Sequence, residues 1–133
     1  MTGHASIILQ LPDEKIIFQR RDDKAPISPN TLAFFGGGIE SGEKPRDAAI
    51  RELAEETSLE LEGLEFHYIT MYTYNDLAAD IGKKFYLFRT NIPHADFKVY
   101  EGKGAEVYSL QEALEREDIA PAAKHVLHNI LRR

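Results

Sequence analysis

The sequence contains no cysteine, so it has neither a disulfide framework nor a thiolate for catalysis. No apolar run reaches the roughly eighteen residues that a membrane-spanning helix requires. The N-terminal segment, MTGHASIILQLPDEK, lacks a basic region followed by a long apolar stretch and does not have the pattern of a signal peptide. These absences make a cytoplasmic location, without a membrane partner, the default expectation.

Basic residues are fewer than acidic ones. The chain has 16 lysines and arginines and 22 acidic residues, and its formal net charge is −6. Nucleic-acid-binding proteins usually carry a basic patch, so we expect no broad binding of nucleic acid. The charge suits an anionic phosphate substrate poorly, unless a bound divalent cation changes the local sign. We attribute most of the charge to solubility.

The composition is that of an ordinary globular protein, with 43% hydrophobic and 29% charged residues among 133. A chain of this length falls in the single-domain range and can bury about two-thirds of its unfolded surface. No internal repeat or linker interrupts it. We therefore expect one domain over residues 1–133.

Short apolar segments alternate with helical patterns, which predicts an α/β arrangement. Ala5–Gln10 and Ile16–Arg20 are expected to form a hairpin. Ser109 to Glu112 has the form of a capping box that opens a helix, and a last helix is expected from Pro121. Further strands are expected at Leu32–Phe35, Leu64–Tyr74, Lys84–Asn91 and Ala105–Tyr108, with connections at Asp22–Thr31, Asp76–Gly82 and Pro93–Gly104.

The stretch from Gly36 to Leu59, GGGIESGEKPRDAAIRELAEETSL, joins a glycine-rich loop to a helix that we expect to start at Pro45. Glu52, Glu55 and Glu56 fall within one arc of roughly 100° on that helix. Like charges at this spacing are unfavourable, but a hard divalent cation would reverse the sign, because Mg²⁺ binds a few carboxylates plus substrate phosphates. A solvated acidic face is the structural alternative.

The opposite arc of this helix is expected to pack on the sheet, so that the carboxylates face outward. It carries Ala49, Ile50, Leu53, Ala54 and Thr57. The glycines ahead of the helix allow the backbone to approach a ligand closely.

The spacing of the glycines and charged residues resembles the Nudix box, the signature of the Nudix hydrolase family. Ser58 departs from the usual glycine, which would end the helix in a left-handed conformation, so we expect a weaker helix end. Phe35 stands where a proline is common. The matching positions are Gly37, Glu43, Arg51, Glu52, Glu55, Glu56 and Leu59.

The resemblance implies a Nudix-type α/β/α sandwich with a mixed β-sheet, and hydrolysis of a nucleoside diphosphate linked to another moiety. Mg²⁺ is the implied cofactor, with Mn²⁺ as a substitute. The implied metal ligands are the Gly37 carbonyl and the carboxylates of Glu52, Glu55 and Glu56. The implied catalytic residues are Arg51, which orients the glutamates, Glu52, Glu55 and Glu101. The general base stays open among Glu55, Glu101 and Glu106, as does the number of metal ions.

The substrate contacts that we expect begin with Arg20, which resembles an arginine that often ends the family's second strand. A solvated strand end is the alternative for it. The other expected contacts are Phe35, Gly36, Gly37 and Tyr74. Tyr74 occupies the place of a proline that accompanies ADP-ribose hydrolysis, and lies slightly early for a tyrosine that accompanies dinucleoside polyphosphate cleavage. Nucleoside triphosphates, including oxidised ones, and nucleotide sugars stay open.

Two other functions are compatible with the same fold. A ligand-binding sensor without hydrolysis commonly lacks box glutamates, and all are present here. An RNA cap-removing enzyme fits poorly with the acidic balance of the chain. We therefore expect a small nucleoside diphosphate derivative as the partner, while a homodimer stays open.

Overall fold

The computed structural model describes residues 2–26, 28–76 and 81–131. Its strands are β1 Thr2–Gln10, β2 Ile16–Arg20, β3 Leu32–Ala33, β4 Phe35–Gly38, β5 His67–Asp76, β6 Ile81–Asn91 and β7 Ala105–Tyr108. Its helices are α1 Pro45–Glu56, α2 Leu110–Leu114 and α3 Pro121–Val126, which continues into a π-helical turn, Leu127–Leu131. None of the helices in these ranges is long and apolar enough to cross a membrane.

Within the described residues, seven strands form one mixed sheet whose main path is β3-β2-β1-β6-β5. β1 runs parallel to β6 and antiparallel to β2. β4 also pairs antiparallel with β1, and β7 pairs antiparallel with β2. In this register His4 of β1 lies between Gly38 of β4 and Phe85 of β6.

The sheet lies between helices on both faces, as the alternation along β1 requires. Ile7 and Leu9 belong to the apolar cluster that contains Leu53 of α1. Ile8, which points to the other face, belongs to the cluster that contains Val126 of α3. The expected α/β/α sandwich with a mixed sheet is confirmed.

The glycine run differs from its expected form, because residues 35–38 form strand β4 rather than a loop. Gly36 has φ of +143°, and a Cβ there would overlap the carbonyl oxygen of Ala5 on β1. Only glycine accepts this conformation and this close approach without strain. The pairing with β1 therefore fixes the glycines beside residues 4–6 of that strand.

The C-terminal end of α1 also differs from expectation. Thr57 is extended, with φ −138° and ψ 162°, and it forms a bridge with Val99. Ser58 is absent from the described non-glycine residues with positive φ. The expected left-handed end is therefore wrong, and the reason given for a weaker helix end does not apply.

The remaining boundaries follow the sequence closely. In the capping box of α2, the Glu112 amide donates to Ser109 Oγ (3.0 Å) and the Ser109 amide donates to Glu112 Oε1 (2.9 Å). β5 begins at His67, three residues after the predicted start, because residues 61–64 form a turn. The predicted connection at 76–82 is strand at 76 and 81–82, and residues 77–80 lie outside the described ranges.

Candidate active site

A cleft of about 860 Å³ opens beside β4 and the outer arc of α1. It is bounded by both the glycine strand and the loop that precedes β7, so the fold brings distant parts of the sequence together. The predicted site residues that line it are Gly36, Gly37, Glu52, Glu56, Tyr74 and Glu101. Arg20, Phe35, Arg51, Glu55 and Glu106 are not among the lining residues in the part of the chain that the structure describes.

Gly37 lies directly against the carboxylate of Glu52. A Cβ at position 37 would overlap that carboxylate, so any other residue would displace it. The observed position of the Glu52 carboxylate therefore depends on glycine at this position. That position is on the wall of the cleft.

Arg51 organises the polar end of the box through four acceptors. Its Nε and Nη2 donate to Glu43 Oε2 and Oε1 at 2.8 and 2.9 Å, and its Nη1 donates to Glu52 Oε1 at 3.0 Å. Nη2 also donates to the Gly38 carbonyl at 2.9 Å. Hydrogen bonds from Arg51, and then from the Glu40 amide, lower the pKa of Glu43 to about 2. Arg51 thus holds Glu52 in place from behind the cleft wall.

Glu56 is buried, with 3% of its surface exposed, although it lines the cleft. Its Oε1 accepts a hydrogen bond from the Gly36 amide at 3.0 Å. Burial raises its pKa to about 8, and the neighbouring carboxylates of Glu101, Glu52 and Glu55 act in the same direction. The expectation that Glu56 faces solvent is wrong. The site instead holds a carboxyl group that needs positive charge in order to ionise.

Glu52 shows the same tendency more weakly. Burial raises its pKa, whereas its hydrogen bond and charge interaction with Arg51 act in the opposite direction. Glu55 differs from both, because 56% of its side chain is exposed and its contact with Arg51 Nη1 is long, at 3.4 Å. The structure therefore brings Glu52 and Glu56 to the cleft and leaves Glu55 at its outer side.

Glu101 reaches the cleft from the loop that precedes β7. It is exposed, and its charge contributes to the raised pKa of both Glu52 and Glu56. Its carbonyl accepts a hydrogen bond from Gln19 Nε2 at 3.2 Å. A third carboxylate, distant in sequence, thus faces the two from α1.

Arg20 and Glu106 lie outside this cluster and pair with each other. Arg20 Nε and Nη2 donate to Glu106 Oε2 and Oε1 at 2.6 and 2.9 Å, and Nη1 donates to Asp118 Oδ2 at 2.9 Å. The hydrogen bond from Arg20 lowers the pKa of Glu106, which also accepts from the Tyr108 hydroxyl. Arg20 therefore forms ion pairs with two carboxylates. Because its pKa is lowered, Glu106 is a poor proton acceptor.

Phe35 does not reach the cleft with its side chain. It is fully buried in the apolar cluster beneath α1, and its ring meets Phe97 edge-on at 6.3 Å between centroids. The expectation that Phe35 contacts substrate is wrong for the side chain. An aromatic residue in place of the common proline here contributes to the core.

Three rings of the same cleft lining form an aromatic wall. Tyr72 stacks on Phe85 with the rings 5.1 Å apart and nearly parallel, and His4 packs on Phe85 at 5.0 Å. Burial, and then the charges of Lys83 and Arg21, lower the pKa of His4 to about 4, so its imidazole is neutral near pH 7.

Sequence reasoning did not single out His4. One signal was available. His4 and Ser6 are polar residues two positions apart on the same strand, which places both on one face. Both line the cleft.

The donor set fits a hard divalent cation, although it is not a ready-made cage. Among residues 2–26, 28–76 and 81–131, no three histidine, aspartate or glutamate side chains are arranged to hold a metal ion. Mg²⁺ commonly uses only one or two protein carboxylates and keeps waters or substrate phosphates as its other ligands. The buried carboxyl of Glu56 beside Glu52 meets that requirement.

Comparison with known folds agrees with this architecture. A MutT protein from Methanosarcina mazei Go1 matches with a TM-score of 0.80 at 17% identity, covering 95% of this chain and 88% of that one. The dihydroneopterin triphosphate pyrophosphohydrolase of E. coli matches with a TM-score of 0.76 at 14% identity, covering 96% and 93%. At these identities the likeness establishes the fold alone.

Sequence relatives match over a shorter region. An RNA pyrophosphohydrolase from Cereibacter sphaeroides is 44% identical over 61 residues, 44% of this chain and 35% of that protein. The m7GpppN-mRNA hydrolase NUDT17 of Bos taurus is 35% identical over 66 residues, 50% of this chain and 22% of that protein. The matches therefore cover about a third or less of these relatives' lengths. The family model described as the NUDIX domain, in contrast, matches residues 2–130, and the chain therefore belongs to the Nudix family.

Proposed function

We propose that this chain hydrolyses the pyrophosphate linkage of a nucleoside diphosphate derivative, with water attacking phosphorus and Mg²⁺ or Mn²⁺ as cofactor. The observation that carries the proposal is the buried carboxyl group of Glu56, which lies beside Glu52 in a cleft. Among the described residues no basic side chain pairs with Glu56, and a buried acid without such a partner is costly unless a cation or a proton neutralises it. In a metal-dependent enzyme, the bound cation would neutralise the Glu56 carboxylate and remove that cost.

Glu52 and Glu56 would hold the cation, together with the Gly37 carbonyl that the family resemblance adds. When bound, the cation would polarise a phosphoryl oxygen and lower the pKa of a coordinated water. Arg51 would keep the Glu52 carboxylate oriented through its 3.0 Å hydrogen bond. Glu55 is a weaker candidate for a ligand, because it is exposed and does not line the cleft.

Glu101 is our candidate for the general base. It lines the cleft, is exposed to solvent, and carries its carboxylate close enough to influence both Glu52 and Glu56. A base must take a proton from water beside the cation, and this side chain can reach both solvent and the metal ligands. Glu106 is disfavoured by its ion pair with Arg20.

The aromatic part of the cleft suits a nucleotide. Tyr72, Phe85 and His4 form an aromatic wall on which a base can stack. Lys83 and Arg21 also line the cleft, and their charges act on His4. They would attract an anionic ligand, although the chain as a whole is acidic.

The test is release of phosphate or pyrophosphate across a panel of nucleoside triphosphates, oxidised nucleotides and nucleotide sugars, with Mg²⁺ present. For the best substrate, Glu101→Gln should lower kcat by at least roughly tenfold, because a general base contributes about 10²–10⁴-fold. Glu106→Gln is the matched control and should retain most of kcat. A larger loss of kcat in Glu106→Gln than in Glu101→Gln would identify Glu106 as the base. Tight nucleotide binding without turnover in the wild type would indicate a sensor.

Hydrolysis at the 5′ end of RNA is the second candidate, favoured by the names of the relatives that match residues of this chain. The RNA pyrophosphohydrolase and the mRNA hydrolase share a segment with it, but each is much longer. Short 5′-triphosphorylated and capped RNAs belong in the same panel at low salt, where electrostatic binding of RNA is strongest. We expect the mononucleotides to be turned over with the higher kcat/KM.

A further inference from the structure

The loop that carries Glu101 is attached to the end of α1 by three successive residue pairs. The helix end and the loop run antiparallel, as in a short piece of sheet. The Tyr100 amide donates to the Glu56 carbonyl at 2.7 Å, so the loop is attached to a residue of the carboxylate cluster itself. The pairs are Glu56 with Tyr100, Thr57 with Val99 and Ser58 with Lys98.

Ser58 adds a side-chain bond to this attachment. Its amide donates to the Lys98 carbonyl at 2.9 Å, and its Oγ accepts from the Lys98 amide at 2.8 Å. A glycine at position 58 would keep the first bond and lose the second. The residue that departs from the family pattern thus closes a reciprocal pair of hydrogen bonds.

The other end of the loop is attached to β2. Gln19 Nε2 donates to the Glu101 carbonyl at 3.2 Å, and the Lys103 amide donates to the Arg20 carbonyl at 2.9 Å. A Cβ on Gly102 would overlap that same carbonyl oxygen, so the chain passes very close to β2. Glu101 therefore stands between two attachments, one on the helix of the carboxylate cluster and one on the sheet.

We propose that Ser58 is a positioning residue that fixes Glu101 opposite Glu52 and Glu56, an inference that rests on the proposed function. Without its hydroxyl the Lys98 amide loses its acceptor, and the attachment three residues before Glu101 loosens. Displacing a general base by about 1 Å can cost up to about 10²-fold in rate. Ser58 does not line the cleft among the described residues, so substrate binding should not change.

The experiment compares Ser58→Ala, Ser58→Gly and Ser58→Thr with the wild type on its best substrate. The alanine and glycine variants should lose roughly threefold to tenfold in kcat with KM unchanged within about twofold. Threonine keeps a hydroxyl and suits this exposed position, so it should restore kcat to within about twofold. Ser41→Ala, which removes an exposed hydroxyl on the turn before α1, is the control and should behave as wild type.

A second comparison separates positioning from general destabilisation. If Ser58 acts through Glu101, adding Ser58→Ala to Glu101→Gln should lower kcat no further, because the two changes remove the same contribution. The inference would be overturned if the losses in kcat of the two single variants multiplied in the double variant. It would also be overturned if Ser58→Ala kept the wild-type kcat, or if Ser58→Thr did not restore kcat. Absence of turnover in the wild type would overturn the proposed function together with it.

Discussion

Replacing Glu56 by glutamine removes an ionisable group while keeping an oxygen that can accept the Gly36 amide. In the folded chain without metal, burial raises the pKa of Glu56 from 4.5 to about 8. Between those values the folded state holds a proton that the unfolded state has lost. The free energy of unfolding contributed by this group is therefore fully present below pH 4.5 and is lost as the pH rises through 8.

The size of the effect follows from the pKa difference. One pKa unit corresponds to about 1.36 kcal/mol, so at pH 7 the ionisable carboxyl costs the metal-free protein roughly 3 kcal/mol relative to a neutral side chain. For a chain of this length, that difference shifts the melting temperature by on the order of 10 °C. Glu56→Gln should therefore melt above the wild type in EDTA at pH 7, and the gap should shrink to about a quarter of that size by pH 5.

Thermal unfolding at pH 5, 6, 7 and 8, with EDTA and with excess Mg²⁺, is the assay. Mg²⁺ should raise the melting temperature of the wild type, since it binds the folded state, and should raise that of Glu56→Gln little. Glu55→Gln is the comparison variant, because it removes an exposed carboxylate whose charge adds to the raised pKa of Glu56, so its stabilisation in EDTA should be smaller than that of Glu56→Gln. A glutamine variant at position 56 that melts below the wild type in EDTA at pH 8 would refute the reasoning.

Three further outcomes are expected. Gly37→Ala should displace the Glu52 carboxylate and lower kcat by at least roughly tenfold, while circular dichroism shows a retained fold. Arg51→Lys should lose the two-pronged contact with Glu43 and lower kcat through Glu52, and a Mg²⁺ titration should show weaker metal binding. His4→Ala should raise KM more than it lowers kcat, and because the pKa of His4 is about 4, the kcat profile from pH 6 to 8 should keep its shape.

Local patterns in the sequence predicted much of the fold. The helix start at Pro45 and the reciprocal bonds between Ser109 and Glu112 depend on residues within one turn of each other. The hairpin of β1 and β2 likewise follows from two apolar runs and a short turn. Such features need no knowledge of the rest of the molecule.

Features that depend on distant contacts were not predictable in this way. Strand β4 exists because residues 35–38 pair with β1, and a run of glycines has no strand propensity of its own. The burial of Glu56 arises because β4 and the loop at residues 98–101 cover the end of α1. A helical arc gives the direction of a side chain on its own helix, but it does not show what packs above it.

The same reason explains why the ion pairs of Arg20 were not foreseen. Arg20 forms hydrogen bonds with Glu106 and Asp118, which lie nearly a hundred residues away in the sequence. The sequence near Arg20 does not indicate these partners. Glu101, in contrast, was placed by resemblance, and the structure brings it to the cleft with Glu52 and Glu56. Without the resemblance, the sequence would have indicated only that Glu101 is a carboxylate on a loop.

Metal dependence of turnover tests the central claim most directly. Release of phosphate or pyrophosphate from the best nucleotide substrate would be followed while Mg²⁺ is titrated into the metal-free protein and then removed with EDTA. Because Glu52 and Glu56 are proposed to work only with a bound cation, activity should appear with Mg²⁺ or Mn²⁺, vanish with the chelator, and return when the metal is restored. Undiminished turnover in excess EDTA would contradict the account.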